Sequence, residues 1–504
     1  MTVIGYEHLR AALRLSAFPI RQPALIKPVT RVQRTPTFVG IPGHVAPQSE
    51  RLLDHILFAL KHEGVNLQVL AEAMPRTPPE DLLTEIQRTP NGGYIRMACF
   101  LWESFTGKSL DGAPGVGGAA VDLFDPDRYV TGPDQRNMRW RVNFNGLGSM
   151  RYCGTVEKTP AIEHALRSDV LGRANAFLGT LGKPILDRTL AWAYLHETED
   201  SFAIERETPS EEKARAFIAL LHQAHNKRRL DEHYLVELQN ATVTNPLDKA
   251  PAFRHEQNWL SGPGRGAAAV TYVPPPPALA QDLMEEIMRF ANTVAGRVDP
   301  IVAASVTSFG FVFAHPFGDG NGRLSRFLFH HALCQSGKLP NGLVLPVSVA
   351  MKKHEIEYLS ALQAFSQPAR ERWTVQWIDA ETYSFAFNGS DSLYRYWDAT
   401  PSVEFGFKMA GQALDVELRS ETQFLARYDA IVREVDAQVD VRGSDLATLV
   451  LGAIDNGDTI SKRRRDQFRL TVPEKTFEII ENAVRKHAAA ADDSLEDEDA
   501  RPEL

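Results

Sequence analysis

The sequence predicts a mainly α-helical protein with one short β-hairpin, and three observations carry that reading. Apolar residues recur at three- and four-residue spacing over most of the chain, as in Leu52, Leu53, Ile56, Leu57 and Leu60, which is the period of a helix. One stretch breaks the pattern: Gln257–Val273 holds two short apolar segments about a glycine-rich turn and is followed by four prolines, the signature of a hairpin with a rigid stop. Finally, 504 residues with 43% hydrophobic and 24% charged content make a globular chain long enough for two or three domains.

Residues 1 to about 50 are proline-rich, with Pro19, Pro23 and Pro36, and read as an extended arm. From 49 to 110 helical spacing forms helix hairpins, split by the turn Pro90-Asn91-Gly92-Gly93. Residues 112–135 are rich in Gly, Pro and Asp and read as a loop; their glycines follow no strand and open no helix, so they are not a dinucleotide fingerprint. Helices resume near Ala161 and continue with breaks through Arg188–Glu197, Ser210–Leu230 and Asp231–Gln239. After the hairpin, 279–298 and 301–314 are helical, as are 352–362 and 370–387, and Asn388 marks a soft boundary before a helical 392–488. The acidic tail is expected to be disordered. The divisions are thus an N-terminal helical region with its arm at 1–180, a core at 181–388, a C-terminal helical region at 389–490 and the tail at 491–504.

Charge and composition exclude several roles. With 55 basic and 64 acidic residues and a net charge of -9, no overall basic field marks a nucleic-acid protein. The single basic cluster, Ser461–Arg469, fits either a winged helix on DNA or a solvated helix face. The N-terminus lacks a basic stretch before an apolar core, and no run of about eighteen apolar residues exists, so no membrane is expected. Cys99, Cys153 and Cys334 are odd in number and far apart, which supports neither disulfides nor a thiolate metal site. The expected location is the cytoplasm.

The chemistry concentrates in His315-Pro-Phe-Gly-Asp-Gly-Asn-Gly-Arg-Leu-Ser-Arg326. The apolar run 301–314 precedes it, and Leu324, Phe327, Leu328 and His331 at i, i+3, i+4, i+7 follow, so it is a loop between two helices. The second helix opens near Gly320-Asn321-Gly322-Arg323, where free N–H groups and the positive end of the dipole cradle an anion, and glycine lets backbone approach it closely. Arg323 and Arg326, at i and i+3, supply two guanidinium forks, more than a carboxylate needs, so the ligand reads as a polyphosphate. Asp319 beside phosphates calls for Mg²⁺ between them. His315, held by Pro316 and a core-anchored Phe317, is the candidate general base.

The motif is neither a Walker A loop nor a dinucleotide fingerprint. It resembles the Fic family signature, His-Pro-Phe-x-Asp/Glu-Gly-Asn-Gly-Arg-x-x-Arg, with every fixed position present. The resemblance implies a helical Fic core that transfers AMP from ATP, with Mg²⁺, to a Ser, Thr or Tyr hydroxyl of a target protein or of itself; a homodimer stays open. By the same resemblance His315 is the base, Asp319 holds Mg²⁺, Gly320, Asn321 and Gly322 form the anion hole, and Arg323 and Arg326 take the β and γ phosphates. The 257–273 hairpin resembles the Fic flap, which holds the target segment by strand pairing, and Tyr358 resembles a position near the adenine pocket while also fitting the core.

Many Fic proteins carry an inhibitory helix, Ser/Thr-x-x-x-Glu-Gly/Asn, and Ser201-Phe-Ala-Ile-Glu205-Arg206 resembles it. Ser201 and Glu205 share one helical face, and a Glu205–Arg326 pair would withdraw the γ-phosphate partner. Arg206 departs from the family Gly or Asn and is expected to hinder close helix approach or weaken inhibition. The resemblance is strongest over 190–365, and segments near 89–108 are similar to large bacterial Fic proteins. Two alternatives stay open: the same site used to remove AMP or to transfer another phosphate-linked group, and a DNA-binding regulator acting through the C-terminal region.

Overall fold

The computed structural model describes residues 2–340, 342–379 and 382–499, with 489–499 as helical backbone only. Helices dominate, as the apolar spacing predicts, and the described strands are at most five residues long. The arm folds into a short helix, Gly5–Ala12, against a four-stranded sheet of two- and three-residue strands. Helices Leu52–His62, Leu67–Ala73, Pro79–Arg88 and Gly93–Thr106 follow as hairpins around a core that includes Trp102 and Trp140. The stretch after them is loop with short strands; Val142–Phe144 pairs with Val121–Asp122 and with Gln135–Asn137. Strand Tyr152–Thr155 pairs in parallel with Tyr396–Asp398, so backbone bonding spans the soft boundary at 388.

The main apolar cluster runs from Leu147 to Leu418. At its centre lies the helix Pro300–Ala314, in which every residue except Val312 is buried. A helix apolar all round belongs inside a core, and each large side chain it removes from water is worth roughly 1.5–3 kcal/mol. Its start is fixed by Pro300 at the first position and by the Asp299 carboxylate, which accepts from the N–H groups of Ile301 at 2.9 Å and Val302 at 3.3 Å. Its end is His315 in the left-handed region, φ 49°. The motif helix Asn321–Gln335 packs against it, and the helix Lys183–Ile204 packs against the motif helix from the other side.

The expected hairpin is present: Leu260–Ser261 and Val270–Tyr272 pair antiparallel about a 3₁₀ turn, with a register shift after Leu260. A second hairpin was not expected. Residues 370–387, read as helix, are helical only to Arg370; Trp373–Trp377 and Tyr383–Phe387 then pair antiparallel in unbroken register. The alternation Trp373, Val375, Trp377 and Tyr383, Phe385, Phe387 has the period of a strand and supplies one apolar face. That face meets the first hairpin, where Trp259 stacks near Tyr383 at 5.2 Å and Phe385 at 5.3 Å.

The C-terminal helices form a separate small core from Ile431 to Val484. In the basic cluster Arg465 is spent on Glu474 at 2.5 Å and Glu481 at 2.6 Å, so it does not present a free basic face. The last helix runs as backbone to Asp499, and residues 500–504, the end of the acidic tail, lie outside the described residues. Among the described residues no helix is long and apolar enough to cross a membrane.

Candidate active site

His315 ends the central helix, and its N–H closes on the Phe311 carbonyl at 2.9 Å. Its Nδ1 faces the Val312 carbonyl at 3.1 Å, which assigns the proton to Nδ1 and leaves the lone pair on Nε2. Burial lowers the imidazole to about 4, with Arg254 pushing the same way, so the ring is neutral at pH 7 and able to accept a proton.

The loop after it is braced from within. Phe317 is fully buried against Phe253 and Phe311. Asn321 accepts from the Phe317 N–H at 3.1 Å and donates to the Phe317 carbonyl at 2.9 Å. Its side chain therefore shapes the loop, and an anion would meet backbone N–H groups at this position. Gly320 precedes the motif helix with φ 86°, a left-handed conformation that suits glycine. Gly322 serves a different end: a Cβ there would lie 1.9 Å from the Glu205 carboxylate oxygen, so glycine lets that carboxylate rest over the helix opening.

Both arginines are almost wholly enclosed, each about 1% exposed. Arg326 donates from Nε to the Ser201 hydroxyl at 2.9 Å, and from Nη2 to the Ser201 carbonyl at 2.6 Å and to Glu205 at 2.9 Å. The predicted Ser201, Glu205 and Arg326 thus meet. Arg323 donates to Asp319 at 2.7 Å and to Glu207 at 2.7 Å, and its guanidinium lies 5.1 Å from the Phe202 ring centre. Arg326 Nη1 and Arg323 Nε are buried with no hydrogen-bond partner among the described residues, donors of the kind an anionic ligand would satisfy. Asp319 engages Arg323 through Oδ2, and its carboxylate is about 39% exposed at the mouth of the site, a position and chemistry that fit a Mg²⁺ ligand.

Arg206 does not keep the helices apart, since the Glu205–Arg326 contact is made. It instead adopts φ 60° just past the helix end, where its N–H caps the Ala203 carbonyl at 3.0 Å. The left-handed conformation explains why Gly or Asn suits the position, and Arg there costs roughly 1–2 kcal/mol. Tyr358 takes the core alternative for its ring, stacked on Phe405 at 5.5 Å and edge-on to Phe309. Its burial-raised hydroxyl faces Arg326 and Ser325.

Several site residues escaped sequence reasoning. Glu207 holds Arg323; Gln239, fully buried, donates to the Asp319 carbonyl at 3.2 Å; Arg254 and Asn258 hold the carbonyls around His315. A ladder fixes the helix register, buried at its first two rungs: Glu197 meets His330 at 2.6 Å, Ser201 meets Arg326, and the partly exposed Glu205 covers Gly322. The four-residue spacing of 197, 201, 205 against 330, 326, 322 was the signal that could have revealed Glu197 and His330. Elsewhere, His8, Glu50 and His55 cluster, but the His55 Nδ1 lone pair accepts the Gly5 N–H at 3.2 Å and the two rings stack face to face, which fits packing better than ligation.

Residues 229–333 match the model of the Fic/DOC family and form a Fic/DOC domain in this chain. Protein adenylyltransferase Fic of Aedes aegypti is 25% identical over 211 residues, 36% of this chain and 39% of that protein. Protein adenylyltransferase fic-1 of Caenorhabditis elegans is 32% identical over 77 residues, 15% of each. The chain thus spans less than half the length of the curated relatives it matches. Among solved structures, a Fic family protein from Desulfovibrio desulfuricans G20 is 20% identical over 62% of this chain and 87% of that one, with a TM-score of 0.38.

Proposed function

We propose that the Fic/DOC domain at 229–333 makes this chain a protein adenylyltransferase, transferring AMP from ATP to a side-chain hydroxyl of a target protein, and that Glu205 holds the activity back. One observation carries the reading: a carboxylate stands at the opening of the motif helix, over Gly322 and against Arg326, where the physics of the helix end favours an anion. Neutral His315 then accepts the hydroxyl proton at Nε2 as the hydroxyl oxygen bonds to the α-phosphorus. The bond from that phosphorus to the bridging oxygen breaks, and pyrophosphate leaves with its negative charge met by the N–H groups at 320–322 and by Arg323 and Arg326. Asp319 would hold Mg²⁺, which supplies charge neutralisation to the phosphates.

In the observed arrangement Glu205 occupies a donor of Arg326 that the outermost phosphate would use, which supports restraint. Tyr358 backs Arg326 in this scheme. Three buried free cysteines agree with a cytoplasmic setting. A second reading draws on the 36% exposure of the Glu205 side chain, which leaves it able to orient a water for removal of AMP.

Incubation with a panel of nucleotides and Mg²⁺, followed by intact-mass analysis of the protein and of lysate targets, tests the reading. An AMP adduct from ATP, stronger in Glu205→Gly, is expected. A phosphate or UMP adduct would change the donor, and the absence of any adduct from either form would defeat the transferase reading. Loss of a preformed AMP adduct on incubation with the parent protein would favour the second reading.

A further inference from the structure

Arg254 lies just ahead of the flap and is the charged residue that joins the flap to the base. Its Nε donates to the His315 carbonyl at 2.9 Å, Nη1 to the Glu256 carbonyl at 3.0 Å and Nη2 to the Pro275 carbonyl at 2.5 Å. Its own N–H donates to the Pro316 carbonyl at 2.8 Å. These acceptors come from both sides of the catalytic peptide and from the two ends of the flap stem. No carboxylate pairs with Arg254 among the described residues, so a largely buried cation is balanced by main-chain carbonyls alone. Burial lowers its own pKa to about 10, a sign of how little solvent or counter-charge it has. Neutral donors would satisfy single carbonyls more cheaply; a planar fork with five fixed N–H groups reaches three directions at once.

The need for such a fork follows from His315. It sits at φ 49°, a conformation that persists in a non-glycine residue only when its surroundings over-determine it. The carbonyls of 314–316 also lie at and just past the helix end, where no following turn supplies donors. A cation at this helix end suits the dipole and disfavours a second positive charge on the imidazole. Asn258, from the flap itself, adds a bond to the Phe317 carbonyl at 2.9 Å.

Resting on the reading that His315 is the base, we propose that Arg254 is a positioning residue for the transfer: it locks the His315 peptide and makes base and flap one body, so that a hydroxyl presented along the flap meets Nε2 in register. The charged groups that bear on His315 are Arg254, which opposes its protonation, and Glu205 and Asp319, which favour it.

The test compares Arg254→Met and Arg254→Lys in the full chain carrying Glu205→Gly. Arg254→Met is expected to lower AMP incorporation at saturating ATP by about 100-fold, the scale of an ångström of misplacement, while the ATP dissociation constant stays within about twofold because no phosphate ligand is touched. Arg254→Lys should recover only part of the rate, since one ammonium cannot span three directions. The acid limb of the pH profile should move to higher pH in Arg254→Met and return towards the parent in Arg254→Lys. Retention of rate within about threefold, or a loss of ATP binding in proportion to rate, would overturn the proposal. Hydrogen exchange reads it without any activity: amides of 256–275 and 314–320 should exchange faster together in Arg254→Met, and unchanged exchange in the loop overturns it. If Glu205→Gly itself transfers nothing, the transferase reading fails while the exchange result still decides the bridge.

Discussion

The twelve residues from His315 to Arg326 are gripped at both ends, and the two grips differ in kind. At the base end, Arg254 and Asn258 hold main-chain carbonyls, with the Arg254 contacts at 2.5 to 3.0 Å. At the arginine end, Glu205 and Glu207 hold guanidiniums through side-chain carboxylates at 2.9 and 2.7 Å, and both carboxylates are about a third exposed. The Arg254 fork is largely buried, whereas a partly exposed carboxylate grip on an arginine is the interaction a phosphate also makes. On the proposed reading the two ends divide the labour: geometry is fixed at one, and occupancy is exchangeable at the other.

The largest effect should come from breaking the fixed end. His315→Ala in the Glu205→Gly protein should lower AMP incorporation by about 10²–10⁴-fold, the usual share of a general base, with ATP binding retained in calorimetry. Full labelling without His315 would remove it as the base.

Acid reaches the base end, and the motif helix beyond Arg326, by another route. Burial holds His315 and His331 at about 4 in the folded protein, against an ordinary unfolded value near 6.5. The unfolded chain therefore binds protons first, so stability is full above about pH 6.5 and is lost as pH falls towards 4. Each residue should cost about 2 kcal/mol at pH 5 relative to pH 7. Urea unfolding at the two pH values checks this, and equal stability would mean the rings are not held neutral.

The smallest effect sharpens the exchangeable end. Glu207→Gln frees Arg323 from one of two carboxylates, and a partly exposed ion pair is worth about 0.2–1 kcal/mol. Labelling should rise by roughly twofold to fivefold, in the parent and in Glu205→Gly alike. No change in either background would mean that Glu207 does not withhold Arg323.

Much of the arginine end was legible because its logic is local. Glycine and arginine spacing within one turn of helix, and Ser201 with Glu205 four residues apart, need only a helical period. Glu207 was not legible: it lies beyond the helix end, past the left-handed Arg206, where no period carries the face forward. Arg254 was hidden more deeply, since its partners are carbonyls that every residue possesses. The hairpin at 373–387 is hard to see in sequence because a helix runs to Arg370 and the aromatic two-residue alternation that marks the strands begins just beyond it. Arg206 was read for its bulk, while the structure makes its backbone angle the relevant property.

The central claim is that Glu205 stands in the place of a phosphate. The most direct measurement is the rate at which label from α-phosphate-labelled ATP enters protein, for the parent and for Glu205→Gly side by side. A partly exposed ion pair is worth about 0.2–1 kcal/mol, and Glu205 also fills the space over Gly322, so removing it should raise the rate by more than about fivefold. A Glu205→Gly rate at or below that of the parent would contradict the claim.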